Sequence, residues 1–282
     1  MQKIDDILDC IREMAPEELA EPWDNSGLLV ASGKKFAERV VVCLDVTAEA
    51  VSEAVNIGAQ LIIAHHPLLF TPIKRMSQKT LQGKLLYELI RNDIALYAAH
   101  TNVDKTYGGL NDLLAGIVGL DVPIPGEAAE AAEPAEQSEP SEPSEPLSYY
   151  RLGYLPDELS IDEFNEHVGA RLKQENLIVS VPAAHSGKKI KKVAVMCGSY
   201  SFDTARLASM DVDALVCGEI KYHDALDVAG MGIHIVQAGH HGTERFFIKL
   251  IGKWIADKYP DMQIHGVGFE SPPSEIYYGR KM

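Results

Sequence analysis

The stretch LIIAHHPLLF, Leu61–Phe70, decides how this chain is read. Leu61 to Ala64 form a short apolar run of the kind that makes a buried strand, and the run ends abruptly in His65, His66 and Pro67. A proline disfavours helical backbone in the residue before it and has no N–H to give to a ladder, so the strand stops here. Two imidazoles are thereby held at the carboxyl end of a buried strand, where open α/β sheets place their ligands. Neighbouring side chains on extended backbone point to opposite faces. The two rings therefore share a site only if the backbone turns there, or if they serve different ions. The plainer reading packs one histidine in the core and leaves the other in water.

Working outward, Arg39–Leu44 (RVVVCL) is a β-branched run and reads as a second buried strand, with Thr47 as the cap of a helix over Ala48–Ile57. Leu81–Arg91 has helical spacing, and Asp93–Ala99 is a further strand that ends in His100-Thr101-Asn102-Val103-Asp104. Upstream, Ile4, Ile7, Leu8 and Ile11 predict an opening helix, and Pro16 opens a short helix over Glu17–Glu21. Trp23–Val30 (WDNSGLLV) reads as a polar turn, with Asp24, Asn25 and Ser26 as secondary site candidates. Downstream, strands are expected at Tyr149–Leu155, Leu177–Val181, Val193–Cys197, Ala214–Cys217 and Ile233–Ala238. Helices are expected at Ile161–Leu172 and Ala205–Met210, and a long amphipathic helix runs from about Gly242 to Tyr259.

The segments VVVCLDVTAEAVSEAVNIGAQLIIAHH and VAVMCGSYSFDTARLASMDVDALVCGEIKYH share one order: apolar strand, polar turn, helix, apolar strand, histidine-bearing turn. The chain is read as α/β, with two related three-layer lobes and mixed sheets. The expected lobes are residues 1–125 and 147–282. Residues 126–146, GEAAEAAEPAEQSEPSEPSEP, are low complexity and favour extended, solvated backbone, so they read as a disordered linker.

The net charge of −15 is inflated by this stretch, which holds seven glutamates and no base. The remaining body is still acidic, which argues against nucleic-acid binding by broad phosphate neutralisation. Four scattered cysteines without a CxxC pair read as reduced, buried small hydrophobes. The N-terminus lacks the apolar core of a signal peptide, and no apolar run approaches the ~20 residues a membrane span needs. A cytoplasmic protein without membrane contact is expected.

Gly239-His240-His241-Gly242-Thr243-Glu244 lies between a strand and a helix. At four residues apart, His240 and Glu244 share a helical face and can hold one divalent ion, or Glu244 can bridge two. Three clusters now stand together: His65/His66, His100/Asp104 and His240/Glu244. Each follows an apolar strand. Imidazoles with carboxylates suit Zn, Fe, Mn, Ni or Co better than Mg or Ca. Glu219 and His223, in GEIKYHDAL, either line the cavity or belong to a capped turn, and His241 is expected to face away.

The segments DNSGL, LIIAHHPLLF, HTNVD and GHHGTE resemble the signature blocks of the Nif-three-like dinuclear-metal-centre family, whose members are named GTP cyclohydrolase I type 2 homologues. The resemblance covers nearly all the chain outside the Glu/Pro stretch. It implies that His65, His66, Asp104, His240 and Glu244 bind two divalent metals, in a toroidal homohexamer with sites facing an internal cavity. Where relatives often read GGSG, this chain has Cys197-Gly198-Ser199-Tyr200. That departure bears on the substrate pocket and leaves the ligand motifs in place.

Two function classes follow. In a metal-dependent hydrolase, metal-bound water attacks a nucleotide or related small molecule, the family activity being the opening of the purine ring of GTP. His100, otherwise an orienting residue beside the ligands, or His223 then shuttles protons. Nothing in the sequence itself names GTP, since it has no GxxxxGK[ST] loop, and a metal-dependent phosphoesterase fits the same ligands. In a metal carrier or oligomeric scaffold, the same five residues bind ions without catalysis. A partner-binding role for the acidic stretch is the weakest reading.

Overall fold

Val40, Val41 and Val42 are fully buried, which explains why this run has no polar alternation: both faces of its strand are covered. The computed structural model describes residues 1–122, 149–182, 187–201 and 204–268, and the Glu/Pro segment 126–146 lies outside them. The chain divides into two units, one formed by Met1–Gly109 with the chain from Arg245 onward, the other by Leu110–Glu244.

The first unit is built on a five-stranded sheet in the order Gln263–Val267, Arg39–Cys43, Leu61–Ala64, Ala95–Ala98, Gly27–Val30. The first four strands run parallel and the last is antiparallel. Val41, Cys43, Ile62, Ala64 and Leu96 pack against the helices Ala48–Asn56 and Leu81–Arg91. The alternate residues Val40, Val42, Leu61, Ile63 and Tyr97 are buried on the opposite face. There Tyr97 donates to Glu17 (2.9 Å) and lies under Arg12, at the end of the helix Ile4–Met14. Helix, sheet and helix make three layers. Thr47 and Thr80 accept hydrogen bonds from Ala50 and Gly83, which fixes both helix starts.

The second unit repeats the scheme. Its sheet runs Arg151–Leu159, Ile190–Ser199, Ala214–Glu219, His234–Gln237, Ile178–Ser180, with a parallel centre and an antiparallel strand at each edge. One face packs on Leu207, Val212 and Val228. Against the other lie the helices Leu110–Val118 and Ile161–Leu172, the second begun by a Ser160–Glu163 capping box. The expected α/β architecture with mixed sheets is present in both units.

Three details differ from the sequence reading. The unit boundaries fall at Gly109/Leu110 and Glu244/Arg245, not at the Glu/Pro stretch. The reason is packing. Asn111 and Asp112 of the helix Leu110–Val118 bind Cys197 N (2.7 Å) and Arg151 (2.7 and 2.9 Å). The last helix, in turn, joins the helix Ile4–Met14 through Cys10 to Trp254 O (3.5 Å) and Tyr259 to Asp6 O (2.9 Å). That expected long helix is also two: His240–Glu244 and Phe247–Lys258, separated where Ile248 N turns back to Arg245 O, three residues behind instead of four. The third is the strand Gln263–Val267, which carries no strong apolar alternation. It is held by parallel pairing with Arg39–Cys43, and Gly266 leaves room for Ile248, whose Cγ2 would lie 2.7 Å from an added Cβ. Glu17–Leu19 forms a 3-10 turn. No helix among the described residues is long and apolar enough to cross a membrane.

Candidate metal centre

Strand pairing carries on past Ala64: His65 N donates to Cys43 O (3.2 Å) and His66 N to Leu44 O (2.9 Å). The backbone then bends, and the two rings come to 5.0 Å between centroids at an interplanar angle of 48°. His65 is fully buried against Phe247 (4.8 Å), while His66 is partly exposed. The two rings are neighbours in one place, His65 on its buried side and His66 toward solvent. With His100, each ring offers one nitrogen, and the three atoms lie within 4.8 Å of one another.

What holds these rings also fixes their protons. His65 Nδ1 is 2.9 Å from Ala99 O, and a carbonyl only accepts, so Nδ1 carries the hydrogen. His66 Nδ1 meets Asp45 Oδ1 at 2.8 Å, and His100 Nδ1 meets Asp24 Oδ1 at 2.7 Å. In its neutral form, a ring held through Nδ1 in this way has its lone pair on Nε2. This is how ligating histidines are oriented, with a carboxylate or carbonyl behind each ring. Asp104, buried in the short helix Thr101–Lys105, places Oδ1 3.6 Å from His65 Nε2 and adds an anionic oxygen. Nitrogen and carboxylate donors in this number fit a borderline divalent cation.

Asp24 is the residue the turn reading undervalued. Its side chain is fully buried, and both oxygens are engaged. Oδ1 accepts from Asn25 N and His100 Nδ1; Oδ2 accepts from Ser26 Oγ (2.9 Å), Thr101 Oγ1 (2.6 Å) and Thr101 N (3.2 Å). Burial alone would raise its pKa, but these bonds, led by that from His100, hold the carboxyl well below the usual carboxylate range. The turn Trp23–Ser26 thus clips onto His100–Asn102 and sets the tilt of His100. Asp45 is placed by strand register. Cys43 pairs with Ala64, so two residues further on Asp45 stands beside His66.

In the second unit, His240 Nε2 lies 2.9 Å from Glu244 Oε2, as the four-residue spacing predicts. Glu219 Oε1 sits 3.3 Å behind His240 Nδ1. The short helix is seated on the ends of two strands, where Gly198 N donates to Thr243 Oγ1 (3.0 Å). Gly198 has φ +63°, and a Cβ there would lie 2.1 Å from Glu244 Oε1. His223 is exposed beside the Tyr222 ring, at the start of the helix Tyr222–Gly230, and joins no ligand group among the described residues. Tyr200, the bulky departure from GGSG, turns into the core of its unit.

The cysteines offer no alternative ligands. All four are buried, and burial pushes the thiols of Cys10, Cys43 and Cys217 up, the last to about 12.

The comparisons with known proteins agree with these motifs. Residues 2–273 match the family described as Duf34/NIF3 (NGG1p interacting factor 3). The chain is 33% identical over 249 residues to a GTP cyclohydrolase 1 type 2 homolog of Clostridium perfringens, covering 86% of this chain and 87% of that one. It is 27% identical over 259 residues to a GTP cyclohydrolase 1 type 2 of Helicobacter pylori, covering 90% and 91%. Among solved structures, a Bacillus cereus protein related to NIF3 matches with a TM-score of 0.81 and 26% identity, over 98% of this chain and 99% of that one. The chain belongs to the Duf34/NIF3 family.

Proposed function

We propose that the protein is a metal-dependent hydrolase of the GTP cyclohydrolase 1 type 2 kind, acting on a nucleotide or related small molecule. Two divalent ions are held by His65, His66 and Asp104 in the first unit and by His240 and Glu244 in the second. The observation that carries this reading is the His65–His66 pair, 5.0 Å apart between ring centroids, each Nδ1 tied back to a carbonyl or carboxylate, with the buried Asp104 carboxylate 3.6 Å from His65 Nε2. An imidazole oriented in this way presents the Nε2 lone pair of its neutral form to an ion. When bound, such ions polarise the bond under attack and bring the pKa of bound water toward about 7.

The chain's own residues supply the rest. Ala99 O and Asp45 fix the rings of His65 and His66. Of the two histidines considered for proton transfer, His100 has the surroundings for it. Its Nδ1 proton is held by Asp24, which stays ionised, so Nε2 can take up a proton while the carboxylate stabilises the imidazolium. His223 has no such partner in its Tyr222 contact.

The test is metal loading, desalting and elemental analysis, followed by a GTP ring-opening assay. Wild type is expected to retain about two ions per chain, with a sharp fall in Asp104→Ala and His240→Ala. Retention below about half an ion, unchanged in both variants, would overturn the reading.

We further infer the homohexamer that the family resemblance implies. Half-exposed Ile178 and Val179 on the edge strand Ile178–Ser180 support it, as apolar surface a neighbouring subunit would cover. Light scattering on the loaded protein should give six chain masses, and a monomer mass would refute it.

A further inference from the structure

We propose that Trp23 and Phe70 form a recognition shelf for a planar heteroaromatic ring, such as a nucleobase, beside the histidine cluster of the first unit. The inference rests on the hydrolase reading for the identity of the neighbouring site and extends it to how substrate is recognised.

Large aromatic side chains are normally buried for their apolar area, yet Trp23 is 56% and Phe70 50% exposed. They are not scattered. Their centroids are 5.9 Å apart at 63°, and each meets His100 edge-on, at 6.4 Å and 75° for Trp23 and 6.3 Å and 82° for Phe70. Two half-exposed rings thus border one member of the candidate metal centre.

Both are also held in place. Asn25 Nδ2, two residues from Trp23, donates to Leu69 O (2.6 Å), which ties the two ring-bearing loops together. Gln82 Nε2 donates to Leu68 O (2.7 Å), and Leu68 and Leu69 pack on the core of the unit. Asp24, next to Trp23, is locked to His100 and Thr101. The same hydrogen bonds that orient His100 therefore also position the shelf.

Fixed aromatic faces exposed beside polar, convergent groups are the makings of a small-molecule pocket. Their partner of choice is another π-face, because base-on-aromatic stacking is strong and tolerant of ring identity. A flat ring laid on Trp23 or Phe70 has its edge within reach of the nitrogens of the cluster. Sugar and phosphate alone have no π-face to stack.

The test uses GMP and ribose 5-phosphate, which differ by the base, on the metal-loaded full-length protein, with affinity measured by calorimetry. GMP should bind at least about ten-fold more tightly than ribose 5-phosphate and quench indole emission. Trp23→Leu and Phe70→Leu should erase that advantage while metal content stays at the wild-type value, and Trp23→Tyr should restore most of it. Equal affinity for the two ligands, or a preference unaffected by the leucine variants, would overturn the shelf. So would loss of metal in those variants, which would make the rings structural supports of His100, or a change in oligomeric mass, which would make them a subunit contact. The two readings fail separately: base-selective binding without turnover of GTP would remove the hydrolase and leave the shelf standing.

Discussion

Gly198→Ala is expected to weaken metal binding by at least about ten-fold and to lower stability by about 2–4 kcal/mol. Two causes act together. The backbone at φ +63° is left-handed, which costs a residue with a Cβ about 1–2 kcal/mol. The new methyl would also lie 2.1 Å from Glu244 Oε1 and 3.4 Å from His240 Nε2, so Glu244 has to leave its place. Gly58→Ala separates the two effects. Gly58 has φ +65°, but its added Cβ meets only the flexible Arg39 guanidinium at 3.8 Å. Metal titration and thermal unfolding of both variants give the answer. Loss of stability in both with loss of metal affinity only in Gly198→Ala supports the cradle. Unchanged affinity in Gly198→Ala would show that Glu244 has no part in holding the ion.

The second large effect is at Asp24. Asp24→Asn removes a fully buried charge and puts an amide group where five donors converge. A loss of about 2–4 kcal/mol is expected, with a Tm lower by several degrees. The acid limb of the stability profile carries the signature. Asp24 has its folded pKa depressed, so its contribution is complete above the unfolded value near 4 and is lost as pH falls below that toward the folded value. Wild type should therefore lose stability faster than Asp24→Asn below about pH 4. Parallel acid limbs would mean that Asp24 is not held ionised by His100. On the proposed hydrolase reading, the variant should also lose activity more than it loses bound metal, because the His100 ring keeps its Nε2 but not its orientation.

The extent to which the site was legible follows from sequence distance. His65, His66, His100 and Asp104 stand directly after apolar strands, and His240 and Glu244 share a helical face by spacing alone. Such relations are local, so periodicity and turn chemistry reveal them. Asp24 acts on a residue 76 positions away, and Asp45 on one 21 positions away. No local pattern separates a turn aspartate from one that holds a histidine. His223 shows the converse: a histidine after a strand that tertiary packing leaves against Tyr222 in solvent.

By itself the sequence determined the buried strands, the α/β order of both units and the residues at the strand ends, because burial on two faces demands unbroken apolar runs and prolines and glycines stop them. Tertiary structure decided the rest. It placed the helix Phe247–Lys258 in the first unit, since its apolar face has its partners in Ile4–Met14 and Arg39–Cys43. It turned Tyr200 into the core and opened the left-handed gap at Gly198 for Glu244. Each of these depends on which distant surface is complementary, and complementarity between distant surfaces exists only once the chain has folded.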